Sequence, residues 1–126
     1  MLKHDAQIMI VDDSKLVRLA MTRLFQSLGY HNIVEAADGA EAVNLHAKQR
    51  PDLILLDIVM PNMRGDEALA QIRATDTTTP IIMLSSVSKE SEIAACRSYG
   101  ITEFVVKPIV SEGGKAVLTE QLERLG

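Results

Sequence analysis

Leu53-Ile54-Leu55-Leu56-Asp57 is a short apolar run that stops on a carboxylate, with Pro61, Asn62 and Gly65 marking a loop just beyond it. Two more runs also end on charged residues. Ile8-Met9-Ile10-Val11 passes into Asp12-Asp13, and Phe104-Val105-Val106 passes into Lys107-Pro108. Each run reads as a strand, and amphipathic stretches alternate with such runs five times along the chain. That rhythm is the signature of a parallel sheet with crossover helices. The carboxyl ends of parallel strands share one edge of their sheet, so Asp12, Asp13, Asp57 and Lys107 are expected to converge there.

After the first run, Leu16, Val17, Ala20, Met21, Leu24, Phe25 and Leu28 recur at helical spacing, and Gly29 follows as the residue just past the helix end. Ile33-Val34-Glu35-Ala36 is a second strand. Asp38-Gly39-Ala40-Glu41 has the form of a capping box with Asp as the cap, opening a helix that ends near Gln49, before Pro51. His46 lies on this helix. No second His or Cys stands at a metal-binding spacing, so it reads as a partly buried or surface residue rather than a ligand. A third helix is expected from about Asp66 to Ala74, and the polar link Asp76 to Pro80 leads into a fourth strand, Ile81-Ile82-Met83-Leu84, with Ser85 one step beyond. A fourth helix follows Ser88, carries Ile93, Ala94 and Cys96 and stops at Gly100; the fifth strand ends at Lys107. The last helix begins between Ser111 and Lys115, because Gly113 and Gly114 are poor helix formers. The fold class is therefore α/β, a doubly wound five-stranded parallel sheet with helices on both faces, and residues 1–126 are expected to form a single domain.

Composition narrows the function. Hydrophobic residues make up 47% and charged residues 24%, a globular balance, while aromatics at 3% leave the packing to aliphatic residues, Ala and Met. The net charge is −4 and no stripe of Lys and Arg is present, which argues against direct nucleic-acid binding; a regulator acting on DNA would need another chain or domain. Cys96 is the single cysteine, so no internal disulfide forms, and it reads as a small apolar residue packed in a helix. Neither a signal peptide nor an apolar stretch of about 18 residues is present, and a cytoplasmic protein without membrane contact is expected.

Three carboxylates brought together repel one another, and a divalent cation such as Mg²⁺, which prefers hard oxygen ligands, would neutralise them. Asp57 at the centre of the edge could act as a nucleophile toward phosphorus, with Lys107 and the Ser85 hydroxyl reaching phosphoryl oxygens. Each residue also has a plain explanation: Asp13 or Ser14 as a helix cap, Asp57 as a solvated loop acid, Lys107 as its surface partner, Ser85 as a turn residue. Those explanations leave the recurrence at strands one, three, four and five unaccounted for.

The ordered set Val11-Asp12-Asp13-Ser14, Leu55 to Gly65 through Asp57, Met83-Leu84-Ser85-Ser86 and Phe104-Val105-Val106-Lys107-Pro108 resembles the receiver domain of bacterial two-component response regulators over essentially the whole chain. In size it resembles the stand-alone chemotaxis-type regulators. The resemblance implies a flavodoxin-like sheet of order 2-1-3-4-5. It implies Asp57 as phosphoacceptor, and Mg²⁺ held by Asp12, Asp13, Asp57 and the backbone carbonyl of Val59. Ser85 takes the position of the switch hydroxyl, Phe104 that of the switch aromatic and Lys107 that of the phosphoryl-contacting lysine, with a cis peptide before Pro108. The implied partners are a sensor histidine kinase or phosphotransfer protein and a downstream protein met by the fourth helix, fifth strand and fifth helix, the chain being a monomer or a phosphorylation-dependent dimer. The positions two past the phosphoacceptor and two past the switch hydroxyl, which flank the path of attacking water in this family, are Val59 and Val87 here; slow self-dephosphorylation is the expectation, with packing or partner contact as the alternative for both valines. The rival functions are a binding-only receiver, the receiver portion of a longer regulator, and a metal-dependent phosphatase. The dehalogenase-type phosphatases carry a second Asp where Val59 stands, and Asp12-Asp13 is electrostatically wrong for a flavin phosphate loop.

Overall fold

The computed structural model describes residues 2–85, 90–106 and 112–125. Five strands, β1 (Ile8–Val11), β2 (Ile33–Ala36), β3 (Leu53–Asp57), β4 (Ile81–Ser85) and β5 (Glu103–Val106), alternate with helices α1 (Lys15–Ser27), α2 (Gly39–Gln49), α3 (Gly65–Arg73), α4 (Glu90–Ser98) and α5 (Glu112–Arg124). The strands are parallel and ordered β2-β1-β3-β4-β5, a flavodoxin-like arrangement. No helix among the described residues is long and apolar enough to cross a membrane.

The apolar runs are continuous because β1, β3 and β4 are buried on both faces. Alternate residues feed two cores. Ile8, Ile10, Leu53, Leu55, Ile82, Leu84 and Val105 pack with Met21, Leu24 and Phe25 of α1 and Leu118 and Leu122 of α5. Met9, Val11, Ile54, Leu56, Ile81 and Met83 pack with Ala42 of α2, Ala68, Leu69 and Ile72 of α3 and Cys96 of α4. The sparse aromatics carry more of this packing than composition predicts: Phe25 and Tyr30 are fully buried and meet edge to face at 6.2 Å. Burial raises the Tyr30 hydroxyl above its ordinary pKa, and that hydroxyl donates to the Leu2 carbonyl at 2.6 Å.

Local signals behave as the sequence indicates. Ser14 caps α1 by accepting from the Val17 N–H, and the helix closes with a paired motif in which Gly29 N–H reaches Gln26 O (3.0 Å) and Tyr30 N–H reaches Phe25 O (2.9 Å). Gly29 sits at φ +96°, which glycine adopts without strain. Asp38 caps α2 through the Glu41 N–H at 2.8 Å, while Glu41 returns a carboxylate oxygen to the Ala37 N–H, one residue before the cap. Leu16 departs from the helical stripe, with 78% of its surface exposed, and Ala94 is exposed on α4. On α5, Leu118 is fully buried in the core and Val117 packs partly against it.

His46 is fully buried rather than partly so, and it has a partner 30 residues away: its Nε2 lies 2.8 Å from an Asp76 carboxylate oxygen. Burial works to raise the Asp76 carboxyl, but hydrogen bonds from His46, from the Thr79 hydroxyl and from the Thr79 and Thr78 N–H groups outweigh it and hold the acid well below the carboxylate range. The ionised acid can only accept, so the His46 ring donates from Nε2.

The loop leaving β3 is held by close backbone approach. A Cβ on Gly65 would lie 1.8 Å from the Asp57 carbonyl oxygen, and one on Gly39 would lie 2.4 Å from the Met63 carbonyl oxygen. Gly65 N–H donates to Ile58 O (2.8 Å) and Gly39 N–H to Met63 O (3.0 Å). Asn62, at φ +65°, donates its side-chain amide to Asp38 at 2.8 Å. The loop is thus folded onto the start of α2 and onto the end of its own strand.

Two stability predictions follow from these contacts. Gly65→Ala should cost about 1–3 kcal/mol or more through overpacking against Asp57, read from urea unfolding. Because the Asp76 carboxyl is depressed in the folded state, its stabilising contribution is fully present above the unfolded value of about 3.9 and fades as pH falls through the folded one. Asp76→Asn should therefore cost about 1–3 kcal/mol at pH 7. The gap from the parent should narrow in urea titrations below about pH 4.

Candidate functional site at the carboxyl edge of the sheet

Register brings the predicted acids together. Val11 pairs with Leu56 and Asp57 with Leu84, so Asp12 emerges beside Asp57, and Ser85 stands one step further on its own strand. Carboxylate oxygens of Asp12, Asp13 and Asp57 all lie within 4.8 Å of one another. Asp12 and Asp57 are buried and Asp13 is exposed, so the cluster opens to solvent on one side. It sits where the strand order reverses between β1 and β3, the crevice in which open α/β sheets bind ligands.

The backbone around the acids is fixed from several directions. Asp12 Oδ1 accepts the Ser14 N–H at 2.9 Å, tying the acid pair to the cap of α1. Arg18 of α1 donates to the Asp12 carbonyl at 2.6 Å and pairs with Glu35 of β2 at 3.0 Å, so one guanidinium joins α1, β1 and β2 below the site. Asp12 N–H bonds to Ala36 O and Ile58 N–H to Leu84 O, each at 3.1 Å, which extends the ladder to the site's floor.

The remaining predicted residues are placed as follows. Ser85 is buried as the last residue of β4. Phe104 is half-buried on β5 against the core shared by α2, α3 and α4. Val59 follows the strand with 59% of its surface exposed. Val87, Lys107 and Pro108 lie outside the described residues. Three hard carboxylate oxygens clustered at one solvent-open point fit a divalent cation such as Mg²⁺, which accepts few protein carboxylates and keeps water in its remaining positions.

Sequence reasoning did not find the polar ties around this edge. Arg64, at the end of the loop from Asp57, pairs with Asp66 (3.1 Å) and with Glu92 of α4 (3.3 Å). Arg73 donates to the carbonyls of Asp76, Thr79, Tyr99 and Gly100. Glu103 of β5 meets Gln121 of α5 at 3.3 Å and Arg97 of α4 at 3.9 Å. The ties from Arg64 to Glu92, from Arg73 to Tyr99 and Gly100 and from Glu103 to Gln121 join residues 18 to 28 positions apart, and no local spacing announces them.

The model of the response regulator receiver domain family matches residues 8–119. The chemotaxis protein CheY of Listeria monocytogenes is 34% identical over 106 residues, covering 84% of this chain and 89% of that protein. Among solved structures, a chain of the CheX-CheY-BeF3-Mg²⁺ complex from Borrelia burgdorferi is similar with a TM-score of 0.85 and 34% identity, covering 94% of this chain and 87% of that one. Vibrio cholerae CheY4 follows with a TM-score of 0.84 and 31% identity, covering 97% and 99%. The family match over residues 8–119, with 34% identity to a relative along most of both chains, leaves one assignment: the chain belongs to the response regulator receiver domains, a family of phosphoacceptor signalling domains rather than enzymes.

Proposed function

We propose that residues 1–126 act as one receiver in which Asp57 accepts a phosphoryl group from a histidine kinase, a phosphotransfer protein or a small phosphodonor. The observation that carries this reading is the convergence of Asp12, Asp13 and Asp57 at the switch point of the sheet. Asp12, Asp13 and Asp57, with the Val59 carbonyl, would hold Mg²⁺. When bound, the ion offsets carboxylate repulsion and the charge of the incoming phosphoryl oxygens.

The chain's own groups do the rest. Asp57 attacks phosphorus through a carboxylate oxygen held at the end of β3, and the leaving group departs with the donor. Ser85, at the end of the neighbouring strand, donates its hydroxyl to a phosphoryl oxygen, and Lys107 supplies a point charge to another. Both gain these contacts only in the phosphorylated state, which is the condition for shifting a two-state equilibrium. As Ser85 is drawn toward the phosphoryl group, Phe104 turns inward and reshapes the α4-β5-α5 surface for a downstream protein. Lacking the tyrosine hydroxyl, Phe104 holds its inward state by packing alone.

Val59 has no polar group with which to orient water toward the aspartyl phosphate, so self-dephosphorylation is slow. Its exposure fits a side chain at the mouth of the site rather than one needed for the core. The family resemblance gives Val87 the same role as Val59.

Incubation with Mg²⁺ and acetyl phosphate should add one phosphoryl mass to the intact chain, and Asp57→Asn should add none; an unmodified parent chain would leave the binding-only receiver as the better reading. Val59→Asn should shorten the lifetime of the aspartyl phosphate about tenfold, less than the roughly 10²–10⁴ range of a positioned acid or base. Decay of the phosphorylated mass after donor removal reads this directly, and an unchanged lifetime would assign Val59 to packing or partner contact.

A further inference from the structure

α4 is the helix least committed to the core. Cys96 is its one fully buried residue, whereas α1 and α3 bury three and four. What α4 lacks in apolar contact is supplied by polar ties at its two ends, one from Arg64 just before α3 and one from Arg73 in its last turn. At the far end, Arg73 donates to Tyr99 O (3.1 Å) and Gly100 O (2.7 Å), just past α4, while also holding Asp76 O and Thr79 O. Burial lowers the Arg73 guanidinium pKa, as expected for a group drawn out of water into a ring of carbonyls. At the near end the tie among the described residues is one half-buried ion pair, Arg64 to Glu92 at 3.3 Å, in the first turn of α4. Among the described contacts the helix is therefore held firmly at one end and lightly at the other.

The light tie starts beside the phosphorylation site. Arg64 precedes Gly65, whose backbone is packed on the Asp57 carbonyl, and the Arg64 side chain makes no capping bond to α3. Asp66 and Glu92 share its charge, and both also act on Cys96 in the seam between α3 and α4. The loop that carries Arg64 is packed against the Asp57 backbone, so a shift there on phosphorylation would move the guanidinium relative to Glu92 and weaken the pair. We propose that Arg64 is a positioning residue for α4: it latches the first turn of the helix, through Glu92, to the loop leaving Asp57, and releases it when charge arrives there, with Arg73 as the pivot. The latch is a route from site to output face separate from Ser85 and Phe104, and it rests on Asp57 being the phosphoacceptor.

The test compares the parent chain with Glu92→Gln, Arg64→Gln and the double variant, each titrated calorimetrically with beryllofluoride in the presence of Mg²⁺. Glu92→Gln should bind about two- to fivefold tighter, the range a surface ion pair supplies, and should have no effect once Arg64 is Gln. Without ligand, amide exchange at Ala94, Ala95 and Cys96, whose N–H groups bond back to the first turn, should quicken equally in both single variants. An unchanged affinity in Glu92→Gln, the same gain in both backgrounds, or unaltered amide exchange would overturn the latch. Failure of the parent chain to bind beryllofluoride would instead overturn the phosphoacceptor reading and the coupling with it, while amide exchange would still report whether Arg64 restrains α4.

Discussion

Holding three carboxylates within 4.8 Å of one another costs electrostatic energy, and the rest of the architecture is arranged so that this cost does not scatter them. Two of the acids grow directly out of β1 and β3, strands buried on both faces and paired to each other in the middle of the sheet. A central strand end is the least movable point in such a fold. The repulsion is thereby turned into an affinity for positive charge, which relieves it without dismantling the core.

The same rigidity extends into the loop after Asp57, where glycine is required by contact rather than by turn geometry. Neither Gly39 nor Gly65 has room for a Cβ, because each faces a carbonyl of the loop or of the strand it leaves. With Asn62 tied to Asp38, the loop is folded against two helix starts. A chemical change at Asp57 thus reaches α3 and its neighbours through backbone contact, with little slack to absorb it.

Away from this rigid centre the fold loosens in one direction. The face bearing α1 and α5 is closed by large side chains, including Phe25, Tyr30, Leu118 and Leu122. On the other face α4 contributes a single fully buried side chain and is bounded by arginine contacts. Hydrogen bonds and ion pairs exchange partners at lower cost than buried apolar surface is exposed, so rearranging α4 would cost less than rearranging the helices of the other face. A signalling domain needs this division: a stiff site, and an output element held by interactions that charge can rearrange.

The sequence by itself determined the element order, the strand ends and the acids that meet there, because parallel pairing sends every strand's carboxyl end to the same edge and the apolar runs Ile8–Val11 and Leu53–Leu56 mark those ends unambiguously. The caps at Ser14 and Asp38 and the stop at Gly29 were equally legible, since each depends on neighbours within a few residues. Only the tertiary structure decided that His46 is buried against Asp76, that Arg64 reaches Glu92, that Arg73 gathers four carbonyls, and that Leu16 faces solvent despite its place in the helical stripe. The pairs His46–Asp76 and Arg64–Glu92 and the reach of Arg73 to Tyr99 and Gly100 join positions 26 to 30 residues apart, and side-chain reach across a packed interface leaves no period or motif in the linear chain.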